Sequence, residues 1–391
     1  MAVSVGACST PQGASSIEPL SNVRLQVQRA LTEHALHNFG RGKDGYAPQA
    51  GLLYYDHRFF GTTQYGGTGG NGTIFELRST GVTRTLYSFG KSPDGAEPVA
   101  SLVELKGALY GTTEYGGANR TGSVFSISPD GKYSELYSFG SGGDGANPAA
   151  SLTALGGALY GTTMNGGKYG EGTVYKVTLS NTGGAMETVL HSFGFGSDGA
   201  YPASGMIPLH NVLYGTTSGG GGPKSESHGT VFRVRPDGSE AVLYPFDCVH
   251  GSAPLAAVVV MNATLYGTTS QGGEACSAGS GDGTVFALSS GTEEHVVHPF
   301  AGGTADGDDP VAALIGWRGK LYGTTYTGGV YGGGTVFSVT PGGDEVPLHP
   351  FGNGTDGNHP AGAVVHVGKA FYGTTSGGGL YGGGIVYKLT F

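Results

Sequence analysis

Ala108-Leu109-Tyr110-Gly111-Thr112-Thr113, followed by Gly116-Gly117 and then by Gly122-Ser123-Val124-Phe125, decides the fold, because this pattern returns seven times along a chain of 391 residues. The glycine of the Gly-Thr-Thr core falls at Gly61, Gly111, Gly161, Gly215, Gly267, Gly323 and Gly373, at intervals of 50, 50, 54, 52, 56 and 50 residues. Self-similarity at such a period marks a propeller or an array. The second copy parses into four strands: an apolar run Pro98 to Leu105, a Lys106-Gly107 turn, Ala108 to Thr113, a glycine-rich loop from Glu114 to Thr121, Ser123 to Ser128, a Pro129-Asp130-Gly131 hairpin turn, and Glu135 to Phe139. Proline presets φ and glycine accepts positive φ, so the turn assignments have a mechanism. Four short strands per repeat make one propeller blade.

The ends of the chain complete this arithmetic. The last copy stops after its third strand, Ile385 to Phe391, and lacks a fourth. Upstream, Leu36-His37-Asn38-Phe39 matches the fourth-strand pattern of Leu86 to Phe89, Leu136 to Phe139, Leu190 to Phe193 and Leu348 to Phe351. An all-β, seven-bladed propeller is therefore predicted, with a strand at about 34–39 closing the last blade so that no edge stays unpaired. Small pairs after the loop proline, Ala50-Gly51, Ala100-Ser101, Ala150-Ser151, Ser204-Gly205, Ala256-Ala257, Ala312-Ala313 and Gly362-Ala363, permit the blades to converge on the axis.

Charged residues are only 13% of the chain, and its net charge is −9, which argues against a surface that tracks phosphates and hence against nucleic acid. The longest apolar run, Leu255 to Met261, is too short to cross a bilayer as a helix. Residues 1–32 carry no repeat and read as a signal remnant, tether and lead-in, with 33–391 as one domain. Val5-Gly6-Ala7-Cys8 is like the end of a lipoprotein signal, in which Cys8 would be lipidated; the alternative is an ordinary thiol, because too few apolar residues precede it. Asn22 to Ala35 is either a short helix or a simple lead-in.

The seven Tyr-Gly-Thr-Thr copies, each with a glycine-rich segment and a Gly-Thr-Val-Phe-like strand, resemble the GloVer tandem repeats of secreted and surface-anchored bacterial proteins over residues 36–391. The resemblance implies an extracellular bacterial repeat protein and carries no activity with it. Kelch propellers share the glycine pair after the second strand, but this chain has a single tryptophan, Trp317, where kelch blades usually carry one each. The Trp-Asp dipeptide repeat and the Asp-box of sialidase-like propellers are both absent from the sequence.

Groups present in every copy are read as structural. The fourth-strand position alternates among His37, Tyr87, Tyr137, His191, Tyr244, His298 and His349, one per blade, and is assigned to packing or hydrogen bonding rather than to a metal. Asp44, Asp94, Asp144, Asp198, Asp306 and Asp356 precede glycines and are expected to accept backbone N–H bonds; a structural calcium is the alternative. Positions that vary inside the fixed frame are the ligand candidates. Before the loop proline stand Ala47, Glu97, Asn147, Tyr201, Ala253, Asp309 and His359, and after Gly-Thr-Thr come Tyr65, Tyr115, Asn165 and Tyr326. Aromatic faces with amides and carboxylates around a ring suit a sugar.

Copies four and five depart most. Lys224, Glu226 and His228 lie in one long loop, Glu274, Cys276 and Asp282 in the next, and Asp247-Cys248-Val249-His250 has lost the Asp-Gly pattern. A Cys248–Cys276 disulfide is expected, which with Cys8 accounts for all three cysteines and suits an oxidising compartment. His228 and His250 are candidate general base and acid, with Glu226 or Glu274 orienting one of them. Lys224, Arg120 or Arg41 would neutralise a uronate carboxylate. The expectation is a secreted or surface-anchored, monomeric propeller that binds a polysaccharide or a surface protein; a polysaccharide lyase, or less readily a hydrolase, is the alternative.

Overall fold

The computed structural model describes the chain apart from residues 1–30, 92, 181–183, 223–226, 274–280, 290–292 and 391. Among the described residues every regular element is a strand. Seven antiparallel four-stranded sheets follow one another in chain order as blades 1 to 7, so the chain is a seven-bladed β-propeller. Blade 2 is representative, with strands Val103–Leu105, Ala108–Thr113, Ser123–Ile127 and Tyr133–Ser138. Blade 7 has strands Val365–Val367, Ala370–Thr375 and Ile385–Thr390, and its fourth is Thr32–Asn38, pairing Thr32 with Thr390 and Asn38 with Ile385. That closure extends two residues further upstream than the predicted start at 34.

Two boundaries differ from expectation. The first strand of each blade is only three residues long, as in Val103–Leu105, although an apolar run from Pro98 was expected to form it. The reason lies at the axis, where the carbonyl of Ala100 is taken by the Thr62 hydroxyl of the preceding blade at 3.2 Å instead of by a strand ladder. In addition, a β-bulge interrupts the pairing of the third and fourth strands in every blade, as between Val124/Phe125 and Tyr137/Glu135. A bulge puts neighbouring residues on one face. Leu86 and Tyr87 accordingly pack together against the same cluster of blade 2.

The repeated motif now has a cause at each position. A Cβ on Gly61 or Gly111 would sit 2.5 Å from the ring of Phe75 or Phe125, so the glycine makes room for the large third-strand aromatic. The first threonine bridges blades: Thr112 Oγ1 donates to the Ala150 carbonyl at 3.1 Å, Thr162 to Ser204 at 3.0 Å and Thr374 to Ala50 at 2.8 Å. Thr216 and Thr268 make the same bond to Ala256 and Ala312, whereas buried Thr324 Oγ1 has no partner. The second threonine bonds within the blade, as in Thr113 Oγ1 to the Tyr115 carbonyl at 3.0 Å and to Ser123 Oγ at 2.9 Å. The hydrophobic cores sit between blades. Phe60, Ile74 and Phe89 of blade 1 join Leu102, Leu109, Phe125 and Ile127 of blade 2, and burial of one such phenylalanine contributes roughly 1.5–3 kcal/mol.

Candidate functional site

The loops that enter each blade and those that follow Gly-Thr-Thr meet on one face. Gly95–Ala96 pairs with Tyr115–Gly116, and the same ribbon recurs at Gly145–Ala146, Gly199–Ala200 and Gly307–Asp308. Single bridges, Tyr46–Tyr65, Ser252–Gln271 and Asn358–Gly377, take its place in blades 1, 5 and 7. The glycine of each Asp-Gly loop is required by contact, because a Cβ on Gly95, Gly145 or Gly199 would overlap the second threonine of the motif. Gly251 keeps this role in blade 5, although the Asp before it is gone.

The residue before each loop proline is then forced into the left-handed region. Ala47, Glu97, Asn147, Tyr201, Ala253, Asp309 and His359 all have φ between 52° and 59°. That conformation costs a non-glycine residue on the order of 1 kcal/mol and persists only where the surroundings impose it. Two backbone bonds do so here. The Glu97 N–H donates to the Asn71 carbonyl at 2.9 Å, and its own carbonyl accepts from Glu114 N–H at 3.1 Å; the remaining six are held in the same way. Seven side chains are thereby projected from a fixed frame around the axis. Beneath them the small pairs line an axial cavity of about 180 Å³, as their size required.

Around this rim Ala47 and Ala253 separate two arcs, Glu97, Asn147 and Tyr201 in one and Asp309 and His359 in the other. In blades 1 and 2, Gln64 Nε2 donates to Glu97 Oε2 at 3.0 Å and Gln49 donates to Gln64. The Tyr46 and Tyr65 rings lie 5.3 Å apart, and Tyr115 is exposed. Burial first, then the Glu97 charge and hydrogen bond, raise the Tyr65 hydroxyl; the Glu114 carboxyl is raised by burial and again by Glu97. In blade 3, Asn165 Nδ2 donates to Asn147 Oδ1 at 3.1 Å, and Asn147 Nδ2 to the Glu114 carbonyl at 3.2 Å. At the entry to blade 4, the neighbouring Glu171 carboxylate, followed by burial, holds the Tyr201 hydroxyl above the ordinary range. In blades 6 and 7, Tyr326 stacks on His359 at 4.8 Å, and burial followed by the Asp308 charge raises Asp309 to about 6. Gln49, Gln64, Glu114 and Glu171 were missed in the sequence, although each stands at a position whose identity changes from copy to copy.

The proposed catalytic region is only partly covered. Lys224, Glu226, Glu274 and Cys276 lie outside the described residues, as does Cys8. His250 Nδ1 lies 2.7 Å from Asp247 Oδ1, and His228 Nδ1 lies 3.1 Å from Ser252 Oγ. Despite the opposing effect of burial, the backbone bond and the neighbouring imidazoles of His250 and His228 keep the Asp247 carboxyl below its ordinary value. Of the two, only His250 contacts the aspartate; His228 is bonded to Ser252. Of the expected cations, Arg41 is engaged with the Tyr381 ring at 5.8 Å, at the junction of blades 7 and 1.

Repeated Tyr/His and Asp side chains clamp the blades. Tyr87 and Tyr137 hydroxyls donate to Asp94 and Asp144 at 2.9 and 2.6 Å, and the imidazoles of His37 and His191 lie 3.1 Å from Asp44 and Asp198. Backbone N–H groups also reach these carboxylates, as Gly140 does to Asp144 at 3.0 Å. A glutamate of the following blade lies near four of these aspartates: Glu33, Glu187, Glu240 and Glu345, each pushed up to about 7 by burial and then by the neighbouring Asp. These glutamates stand four residues before the Tyr/His, a spacing visible in the sequence. His298, Asp306 and Glu345 bring their ligand atoms within 4.8 Å of one another, but one imidazole and two carboxylates are too poor in oxygen for calcium.

A repeat model, the Gloeobacter/Verrucomicrobia repeat, matches residues 22–227 and 222–391. The chain belongs to the Gloeobacter/Verrucomicrobia repeat family. Among curated proteins none matches this family member. Solved structures similar to it include virginiamycin B lyase from Staphylococcus aureus, at 15% identity and a TM-score of 0.59, covering 92% of this chain and 99% of that one. A streptogramin B lyase is similar at 14% identity and a TM-score of 0.61, covering 92% and 98%. An ancestral GH74 enzyme is similar at 12% identity and a TM-score of 0.57, covering 93% of this chain and 51% of its own. At these identities the likeness shows the propeller fold alone.

Proposed function

We propose that this repeat protein is an exported propeller that binds a neutral carbohydrate on its loop face. The observation that carries the reading is the ring of seven left-handed, doubly hydrogen-bonded positions before the loop prolines. A repeat that needed only to hold itself together could use glycine there. Instead it holds glutamate, asparagine, tyrosine, aspartate and histidine, prepaid in conformational entropy, which is what recognition uses. Neither this ring nor the two residues directly after each Gly-Thr-Thr include a lysine or arginine, and Glu97, Glu114 and Asp309 are there. Such a rim repels uronates and accepts hydroxyl-rich neutral polymers. Export is supported by Cys248, which is disulfide-bonded, with Cys276 as the proposed partner. A surface lipid on Cys8 and a monomeric state belong to the same proposal.

The test is retention of wild type and of Asp309→Asn and His359→Ala variants on immobilised neutral polysaccharides. Weakened retention of both variants supports the rim, and unchanged retention of both removes it. The catalytic reading is favoured by one feature, the His250–Asp247 pair at 2.7 Å. Under that reading His250→Ala abolishes turnover of a polymer that the protein still binds, and retained turnover eliminates it.

A further inference from the structure

At the junction of blades 3 and 4 the repeated frame is kept but carries an exposed aromatic. Phe195 is 71% exposed, an open aromatic surface that folding alone does not call for. Equivalent positions in other copies hold Arg41, Lys91, Ser141 and Asn353. Its ring stacks on the exposed Tyr169, with centroids 5.7 Å apart and planes 30° from parallel. The approach is fixed by the backbone, since a Cβ on Gly194 would lie 3.1 Å from Tyr169 Cβ. Lys168 Nζ lies 5.0 Å from the Tyr169 ring, which leaves Phe195 as the ring with the most open surface.

At Gly194 and Gly196, the neighbours of Phe195, opens a cleft of about 290 Å³ lined by Glu171, Asp198, Tyr201 and Ser227 and floored by glycines, with the two rings outside its lining. Glu171 and Tyr201 both line it, and a carboxylate has lone pairs for several donors. Other copies place Asn71, Thr121, Gly333 and Gly383 where Glu171 stands. We infer that this cleft is a saccharide subsite, in which Phe195 and Tyr169 stack the C–H face of a neutral pyranose and Glu171 with Tyr201 takes its hydroxyls. The inference rests on the loop-face reading above. Its volume suits one ring rather than a long polymer segment, and pockets for small ligands begin at about 300 Å³. Charge selects the occupant. Among the described residues that line the cleft the charged ones are Glu171 and Asp198, with Lys168 outside it against the Tyr169 ring, so an anionic sugar is disfavoured. Tyr201 also belongs to the axial rim and links the two.

The experiment is affinity electrophoresis and titration calorimetry of the whole chain against mixed-linkage β-glucan, galactomannan and arabinoxylan, with polygalacturonate and alginate alongside. Phe195→Ala, Tyr169→Ala and Glu171→Gln are compared with Tyr331→Ala, an exposed tyrosine at the equivalent position of blade 6, and with His359→Ala on the rim. The cleft predicts a neutral polymer bound by wild type, a roughly tenfold weaker Kd for Phe195→Ala and Glu171→Gln, and no change for Tyr331→Ala. Wild-type affinity in Phe195→Ala and Glu171→Gln, with a loss in His359→Ala, overturns the cleft and leaves the loop-face reading standing. Failure of wild type to bind any neutral polymer, or preference for the uronates, overturns both. Sedimentation that shifts from dimer to monomer in Phe195→Ala, without an effect on glycan, assigns the rings to self-association and also overturns the cleft.

Discussion

Replacing Thr112 and Thr324 in turn by valine separates the bridging role of the motif from its mere recurrence. Thr112 Oγ1 donates to the Ala150 carbonyl of the next blade at 3.1 Å, and both ends of the bond are buried. Valine keeps the shape and removes the donor. The carbonyl then loses a partner in a place water does not reach, at a cost of about 1–3 kcal/mol. Thr324 is the matched control, since its Oγ1 is buried with no partner. Valine there removes a desolvated hydroxyl and is neutral or stabilising by up to about 1 kcal/mol. Urea unfolding followed by circular dichroism reads both as shifts of midpoint at unchanged slope. Thr112→Val is expected to unfold at lower urea and Thr324→Val at the same or higher urea. Equal losses in the two variants would refute the interblade bond as the reason the motif recurs.

Gly95→Ala is expected to lose about 1–3 kcal/mol through overpacking, because Thr113 Oγ1 is tied to Ser123 and Tyr115 and cannot swing away. Gly107→Ala, where nothing lies within 4 Å, carries only the strain of its positive φ, and thermal unfolding of the pair should rank them so. The interblade glutamates predict a pH dependence. Glu187 is raised from 4.5 to about 7, so the folded chain keeps a proton that the unfolded chain releases. Its stabilisation is complete below pH 4.5 and is lost as pH rises toward 7. Glu187→Gln should therefore gain about 1 kcal/mol over wild type above neutrality, after allowance for solvent screening, and nothing in acid. A urea titration at several pH values checks the sign.

The architecture was legible because the glycines, threonines and aromatics that build it recur at a nearly constant interval, and because Leu36 to Phe39 matched a strand missing at the other end. Their bonding was not. That Thr112 reaches the next blade while Thr113 stays at home depends on the alternation of side chains along a strand that faces two different neighbours. The glutamates of the interblade clamp were overlooked although they stand four residues before the Tyr/His, since Thr83 and Tyr133 break the pattern in the first two copies. At the rim, variation within the frame pointed to Glu97, Tyr201 and His359, but their left-handed conformation arises from long-range backbone bonds that no local propensity encodes. The loss of the Asp-Gly pattern near His250 was visible; that Asp247 pairs with His250 while His228 turns to Ser252 follows only from the folded loop.

The most direct test of the central claim follows the whole protein with neutral and uronic-acid polysaccharides, assaying retention of intact polymer together with reducing ends and the ultraviolet absorbance of unsaturated uronates. The account predicts retention of a neutral polymer with no new reducing ends and no absorbance. Growth of the absorbance with a uronate polymer, or indifference to every polysaccharide, would contradict it.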